Sequence, residues 1–300
     1  MININFLPWN RVNFLEFNIS QLIKLDDNIK KIIKVSFHNS GESEISRYIE
    51  ILNQHNIVSE NCLYAPGFNY TQKVNSASSS DYEYSISCDE DCLCPTYSWK
   101  QLIESRNLLN DKVCCIIPNI SNVIPSFDEF LDSNFNNLKE KYYTLLKEVN
   151  FGHLWGVNYH NLNGWNDIDD FYNRVKVIDH FYKGIHPIRL SRNVQIELLK
   201  DISEKLETIL TPKEFEIKEC IRPYMCNNMF IMKTSEWNDA IKKFSRDPFD
   251  EVSINIYREH NNKKYFIIKS ANVIHPFYNI FDDAVELANI FYDKYIKPLV

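Results

Sequence analysis

Short apolar runs of period two, each followed by an amphipathic run of period 3.6, recur through the first 125 residues and leave few folds open to this chain. Ile2, Ile4 and Phe6 alternate as a strand ending at Pro8-Trp9-Asn10-Arg11, and residues 12–25 then read as helix. Ile32, Ile33, Val35 and Phe37 form a second strand, ending at His38-Asn39-Ser40-Gly41. Ser40 or Gly41 can cap the next helix, which carries Ile45, Tyr48, Ile49 and Leu52 on one face. The series continues with a short strand at 62–65, a helix around 70–79 and a strand through Tyr82, Tyr84 and Ile86. A helix bearing Trp99, Leu102, Ile103 and Arg106 and a strand at 113–117 complete it. Strict strand–helix alternation predicts an α/β fold with a mostly parallel sheet covered on both faces. Sheets of this kind place ligands beyond the carboxyl ends of their strands. The tips to watch are 8–11, 38–41 and 88–91, where polar residues gather.

After residue 125 the pattern changes. Leu131, Phe135, Leu138, Tyr142, Leu145 and Val149 predict one long amphipathic helix. An irregular stretch from Phe151 to Asp170, holding Gly152, Gly156 and Gly164, follows it. Val194, Leu198, Leu199, Ile202, Leu206 and Ile209 then predict a second helix. This helical insert, residues 126–215, reads as a lid or a partner surface within one domain spanning 1–300. Strands return at Met229–Met232 and Tyr265–Ile268, and a helix near 281–297 ends the chain.

Composition narrows the function classes. With 44% hydrophobic and 24% charged residues the chain has an ordinary globular composition, and its net charge of −7 argues against bulk nucleic acid as a partner. No basic n-region precedes an apolar stretch, and no run approaches the roughly 18 apolar residues of a spanning helix. The expectation is a cytoplasmic protein, with membrane contact at most peripheral. Eight cysteines without a Cys-x-x-Cys pair then read as reduced thiols, and Cys88, Cys92 and Cys94 as a zinc knuckle is the weaker reading.

The segment Asp81-Tyr-Glu-Tyr-Ser-Ile-Ser-Cys-Asp-Glu-Asp-Cys-Leu-Cys-Pro95 runs a half-buried strand straight into Asp89 and Asp91. Residues two apart on an extended chain face the same side. A turn there brings both carboxylates to one hard divalent cation, which takes oxygen ligands at about 2.0–2.6 Å. Asp-x-Asp alone also describes a solvated acidic loop. Two acids against a low-dielectric strand repel each other, so a counter-charge is expected beside them. The chain holds no P-loop, no Gly-x-Gly-x-x-Gly after the first strand, no Gly-x-Ser-x-Gly elbow and no His-Glu-x-x-His. Phosphate would therefore have to be neutralised by a metal and side chains.

The order of these features resembles the GT-A type, family 2-like nucleotide-sugar glycosyltransferases, from residue 2 to about 120 and again from 221 to about 282. The segments that carry the likeness are Pro8-Trp-Asn-Arg11, Tyr70-Thr-Gln-Lys73-Val-Asn75-Ser-Ala77 and the Asp81–Pro95 segment with its Asp-x-Asp motif. Asn227–Trp237, Pro248-Phe-Asp250-Glu251 and Ile274-His275-Pro-Phe-Tyr278-Asn279 extend it. The resemblance implies a Rossmann-like sheet whose residues 1–125 bind the nucleotide-sugar and whose residues 216–300 form the acceptor side. It implies Mn2+ or Mg2+ held by Asp89, Asp91 and His275, and a UDP-sugar donor met by Pro8, Asn10, Arg11, Asn39, Lys73, Asn75, Asp89 and Glu90. It further implies Asp250, with Glu251 beside it, as the base for an inverting transfer to a saccharide or glycolipid hydroxyl. Trp155, Trp165 and Asn228 would meet the acceptor.

Bland readings stand beside these. Asp250 and Glu251 after Pro248 suit a helix first turn, a contribution of about 0.3–1 kcal/mol. Trp237 fits a core as well as a sugar face, and His153, His160, His180 and His186 lack metal-ligand spacing. Two features depart from the resemblance: His38-Asn39 stands where an acidic pair is usual, and the insert has no counterpart. The rival function is a non-catalytic carbohydrate- or nucleotide-binding protein on the same scaffold. A transferase acting on modified DNA bases is the minority alternative.

Overall fold

Ile2, Ile4 and Phe6 face one side of the first strand, β1 (Ile2–Leu7), and Asn3, Asn5 and Leu7 face the other; all six are buried. A strand buried on both faces belongs in the middle of a covered sheet. The computed structural model describes residues 2–8, 11–25, 31–37, 42–57, 62–64, 82–123, 126–154, 157–178, 186–221, 225, 228–244, 250–276 and 282–299.

Helix α1 (Val12–Ile23) leads from β1 to β2 (Lys31–Phe37), and α2 (Glu42–Gln54) leads on to β3 (Cys62–Tyr64). Next come β4 (Tyr84–Asp89), α3 (Thr96–Glu104) and β5 (Val113–Ile120). The insert contributes α4 (Ser126–Asn134), α5 (Lys139–Lys147), a small hairpin of β6 (His153–Leu154) and β7 (Val157–Asn158), α6 (Ile168–Ile178), α7 (Arg192–Glu204) and α8 (Leu206–Leu210). The chain closes with β8 (Ile217–Glu219), β9 (Met229–Lys233), α9 (Thr234–Phe244), α10 (Asp250–His260), β10 (Lys264–Val273) and α11 (Ala284–Phe291).

Among the described residues, eight strands make one sheet in the order β3-β2-β1-β4-β9-β5-β10-β8. β3, β2, β1 and β4 run parallel, as do β5 and β10, while β9 runs against both of its neighbours and β8 against β10. This is the α/β, mostly parallel sheet that the alternation predicts, Rossmann-like as the resemblance implies, with helices on its faces and a helical insert. The carboxyl ends of β1, β4, β5 and β10 therefore point the same way, and the chain entering β9 starts among them.

Apolar contacts organise the helices around this sheet. Helix α1 is buried on two sides: Val12, Leu15, Ile19 and Leu22 join one core with β1, β2 and β4, while Phe14 and Phe17 join a second. That second core is the insert's own packing partner, bringing together Phe127, Phe130, Tyr142, Leu198 and Ile202 with Phe291 and Tyr292 from the C-terminal end. Each fully buried Leu, Ile or Phe contributes about 1.5–3 kcal/mol relative to exposure, and Leu93 and Ile274, just past the carboxyl ends of β4 and β10, join the same core as the insert.

The single helix expected from Leu131 to Val149 is two. α4 stops at Asn134, Phe135 takes φ −140° and ψ 34°, and a 3-10 turn over Asn136–Leu138 leads into α5. The Asn134 amide donates to the Phe130 carbonyl at 3.0 Å and to Asn272 Oδ1 at 3.1 Å, and its Oδ1 accepts from Asn272 and Lys213. An amide with tertiary partners competes with the helix ladder, and Phe135 drops into the core at the break. The helix expected over Val194–Ile209 likewise divides at Lys205, where φ is −115° and ψ 15°. The last helix spans Ala284–Phe291 and continues as a π-type turn and a 3-10 turn. Among the described residues no helix is long and apolar enough to cross a membrane.

Candidate functional site

Register brings the site together. β1 and β4 pair in parallel with Leu7 opposite Asp89, so the chain leaving β1 reaches Arg11 beside the chain leaving β4 at Glu90 and Asp91. Cys92 N–H closes a turn onto the Asp89 carbonyl at 3.1 Å. Leu93 then exchanges two backbone hydrogen bonds with Ile274, at 2.8 and 3.1 Å, which ties this turn to the end of β10 and delivers the next residue, His275. Ser121, just past β5, clamps the His275 backbone: its hydroxyl accepts the His275 N–H at 3.0 Å and lies 3.3 Å from the His275 carbonyl. Asn228 enters from the β9 side and accepts the Asp89 N–H on its carbonyl at 2.7 Å. The ends of five strands, β1, β4, β5, β9 and β10, thus supply one cluster.

Asp91 lies at its floor. Its Oδ2 pairs with the Arg11 guanidinium and its Oδ1 lies 3.3 Å from His275 Nε2. Burial by itself raises this carboxyl's pKa; the facing His275 and then Arg11 outweigh it and bring the group down to about 2, so Asp91 is ionised at neutral pH. The counter-charge expected beside the acidic pair is Arg11, which is 1% exposed. Asp89 is half-buried nearer solvent, and its Oδ2 accepts from Asn228 Nδ2 at 2.9 Å. The same Asn228 nitrogen lies 3.4 Å from His275 Nε2, so the polar chain runs Asp89, Asn228, His275, Asp91, Arg11.

The potential metal ligands drawn together among the described residues are Asp91, Cys92 and His275, with ligand atoms all within 4.8 Å of one another. The donor set fits a divalent cation. Asp91 offers a carboxylate oxygen beside the His275 imidazole nitrogen, with the Asp89 carboxylate linked to His275 through Asn228, a set that suits Mn2+, and Mg2+ through the oxygens. Burial pushes the Cys92 thiol well up, and its S–H donates to the Asn228 carbonyl at 3.5 Å. Asp89 is outside that closest group and joins it through Asn228.

Glu90, expected at the donor, is turned inward. It is 1% exposed, accepting the Arg11 N–H at 2.8 Å and the Tyr48 hydroxyl at 2.5 Å. Trp165 is 3% exposed and packs edge-on against Phe171 and Tyr143, so its ring belongs to the second core rather than to an open sugar platform. Trp237 is core as well, against Phe230. Pro8 is buried where β1 ends. His186 is structural: its Nδ1 accepts the Ile188 N–H at 3.1 Å, and its ring lies against Phe127. Asp250 and Glu251 form the first residues of α10. Asn10, Asn39, Lys73, Asn75, Trp155 and the helix expected around 70–79 lie outside the described residues.

Three residues that hold the site were not singled out from sequence for it: Tyr48, Asn18 and Ser121. Asn18 carries the clearest signal, a polar residue on the apolar face of α1. Its amide donates to the Glu90 carbonyl at 3.1 Å and its Oδ1 accepts the Cys94 N–H at 3.1 Å.

No protein-family model matches the chain, and no curated protein does. Among solved structures, the chain aligns with 4-diphosphocytidyl-2C-methyl-D-erythritol synthase from Anaerococcus prevotii DSM 20548. The two are 9% identical with a TM-score of 0.46, over 98% of this chain and 96% of that one.

Proposed function

We propose that this chain is a metal-dependent glycosyltransferase that moves a sugar from a nucleoside diphosphate donor, a UDP-sugar in the simplest reading, to a hydroxyl of a saccharide or glycolipid, with inversion. One observation carries the reading: Asp89, Asp91 and His275 meet Arg11 at the carboxyl ends of the sheet, the place where α/β sheets bind ligands. Breaking a sugar–diphosphate bond leaves negative charge on the departing phosphates. Asp91, ionised and buried, together with Asp89 and His275, would hold Mn2+ or Mg2+. That ion, when bound, would supply Lewis-acid stabilisation of the leaving group. Arg11 brings a planar, permanently charged donor suited to phosphate oxygens. Asn228 orients Asp89 and His275 at once. Asp250 or Glu251, at the head of α10, would take the acceptor's proton, a task that needs a carboxylate within hydrogen-bond reach of the hydroxyl. In this reading residues 1–125 hold the donor and 216–300 the acceptor side of a single domain.

A non-catalytic nucleotide-binding protein is the second reading, favoured by the Arg11–Asp91 pair, which already balances one charge of the acidic cluster. Thermal unfolding with nucleoside diphosphates, with and without Mn2+, separates the two from an unrelated function. A ligand at a hundredfold its Kd stabilises the folded state by about 2.7 kcal/mol. The expectation is a shift that needs both UDP and Mn2+, is lost in Asp91→Asn, and accompanies release of UDP from a UDP-sugar. A metal-dependent shift without turnover on any donor leaves the binding protein. No shift with any nucleoside diphosphate sinks both.

A further inference from the structure

Arg11 and a divalent ion want the same carboxylate. Asp91 has two oxygens: Oδ2 holds the Arg11 guanidinium and Oδ1 faces His275. A cation bound between Asp91 and His275 would sit a few ångströms from a guanidinium that is itself 1% exposed, and two positive centres so close in a low-dielectric pocket repel strongly. Taking a carboxylate partner away from a buried guanidinium is itself costly. Its main chain is held in place: the Arg11 N–H is bonded to Glu90 Oε1 at 2.8 Å and to the Tyr48 hydroxyl at 3.0 Å. Any rearrangement is therefore confined to the side chain, which keeps the guanidinium within reach of the site.

We propose that Arg11 is the resident counter-ion of the cation seat, holding Asp91 until a divalent ion arrives and then passing to the donor's phosphate oxygens. This rests on the metal reading above. The exchange is a swap of ionic partners with no bond made or broken. Asp91 trades the guanidinium for the ion, and the guanidinium trades a carboxylate for phosphate, to which its forked N–H groups are equally matched. Two consequences follow. The metal alone binds more weakly than its ligand set allows, because only the fraction of molecules with Arg11 withdrawn is competent. Metal and nucleoside diphosphate bind better together than apart, because the phosphate supplies Arg11 with a new partner.

The test is calorimetric titration of the full chain with Mn2+ alone, then with UDP at saturating Mn2+, in wild type and Arg11→Met. The expected result is Mn2+ affinity raised about tenfold or more in the variant, the factor by which the resident cation depletes the competent state. UDP affinity in the presence of Mn2+ is expected to fall by a similar factor. Should Arg11→Met fail to fold, Arg11→Gln, which keeps a donor to Asp91 without the charge, is expected to shift both affinities in the same directions. Mn2+ binding that is unchanged or weaker in the variant overturns the counter-ion role and leaves the metal site standing. If neither wild type nor variant binds Mn2+, the metal reading itself falls and this inference with it.

Discussion

Glu90 is an acid with almost no contact with water, held between the Tyr48 hydroxyl and the Arg11 main chain. Removing the hydroxyl leaves the carboxylate short of a partner, and an unsatisfied buried group costs about 1–3 kcal/mol, more when charged. Tyr48→Phe is accordingly expected to lower stability by about 2 kcal/mol, read as a lower urea midpoint at unchanged slope. An unaltered midpoint would show that Glu90 does not depend on Tyr48. The sequence marked Asp89, Asp91 and Arg11, because charged and polar residues crowding a strand's end have no reason to be there in a plain core, whereas His275 was marked by the family resemblance alone. It could not mark Tyr48, which reads as one more apolar position on the face of α2, nor the inward turn of Glu90. In an Asp-Glu-Asp run all three acids look alike; only the partner 42 residues away decides which one is structural.

The turn that carries Asp91 is stapled to helix α1 by Asn18, whose side chain spans the Glu90 carbonyl and the Cys94 N–H while also bonding the Phe14 carbonyl within the helix. Asn18→Ala deletes these bonds at a fully buried position. The expected cost is about 1–3 kcal/mol of stability. Because the loosened turn must be re-ordered around the ion, Mn2+ affinity is expected to drop several-fold as well, measured by the same titration as for wild type. Stability loss with full metal affinity would mean that Leu93 and Ile274 alone suffice to hold the turn. Element boundaries were legible where local periodicity decides them, as in α1 and β2. They were not where a tertiary partner outcompetes the ladder: Asn134 ends α4 because Asn272 and Lys213, both distant in sequence, bind its amide.

Alternation of strand and helix was enough to read the sheet's class, since each element shows its period within ten residues. The strand order was not legible, because the antiparallel β9 slots between β4 and β5 only after the whole insert has intervened, and no local pattern records so distant a pairing. The insert's role as packing partner was hidden for the same reason: Phe14 and Phe17 look like ordinary helix residues until the second core closes over them. That core, and the contact between α3 and the insert, also bury tyrosines. Burial, then its bond to Asp201, drives the Tyr142 hydroxyl far above its usual range, and burial pushes Tyr292 up to about 12. Tyr97, whose hydroxyl donates to the Ile209 carbonyl at 2.7 Å, is likewise pushed up to about 12 by burial. In the unfolded chain these groups ionise near pH 10. Protons are thus held more tightly by the folded state. The stability that Tyr97 and Tyr292 contribute is complete below about pH 10 and is lost as pH climbs through about 12, while that of Tyr142 lasts to higher pH. Absorbance at 295 nm should therefore rise in two stages, with the second, belonging to these buried tyrosines, coinciding with loss of near-ultraviolet circular dichroism. A single titration step centred near pH 10 with the tertiary signal intact would mean that the insert does not close over α1 and α3 as described.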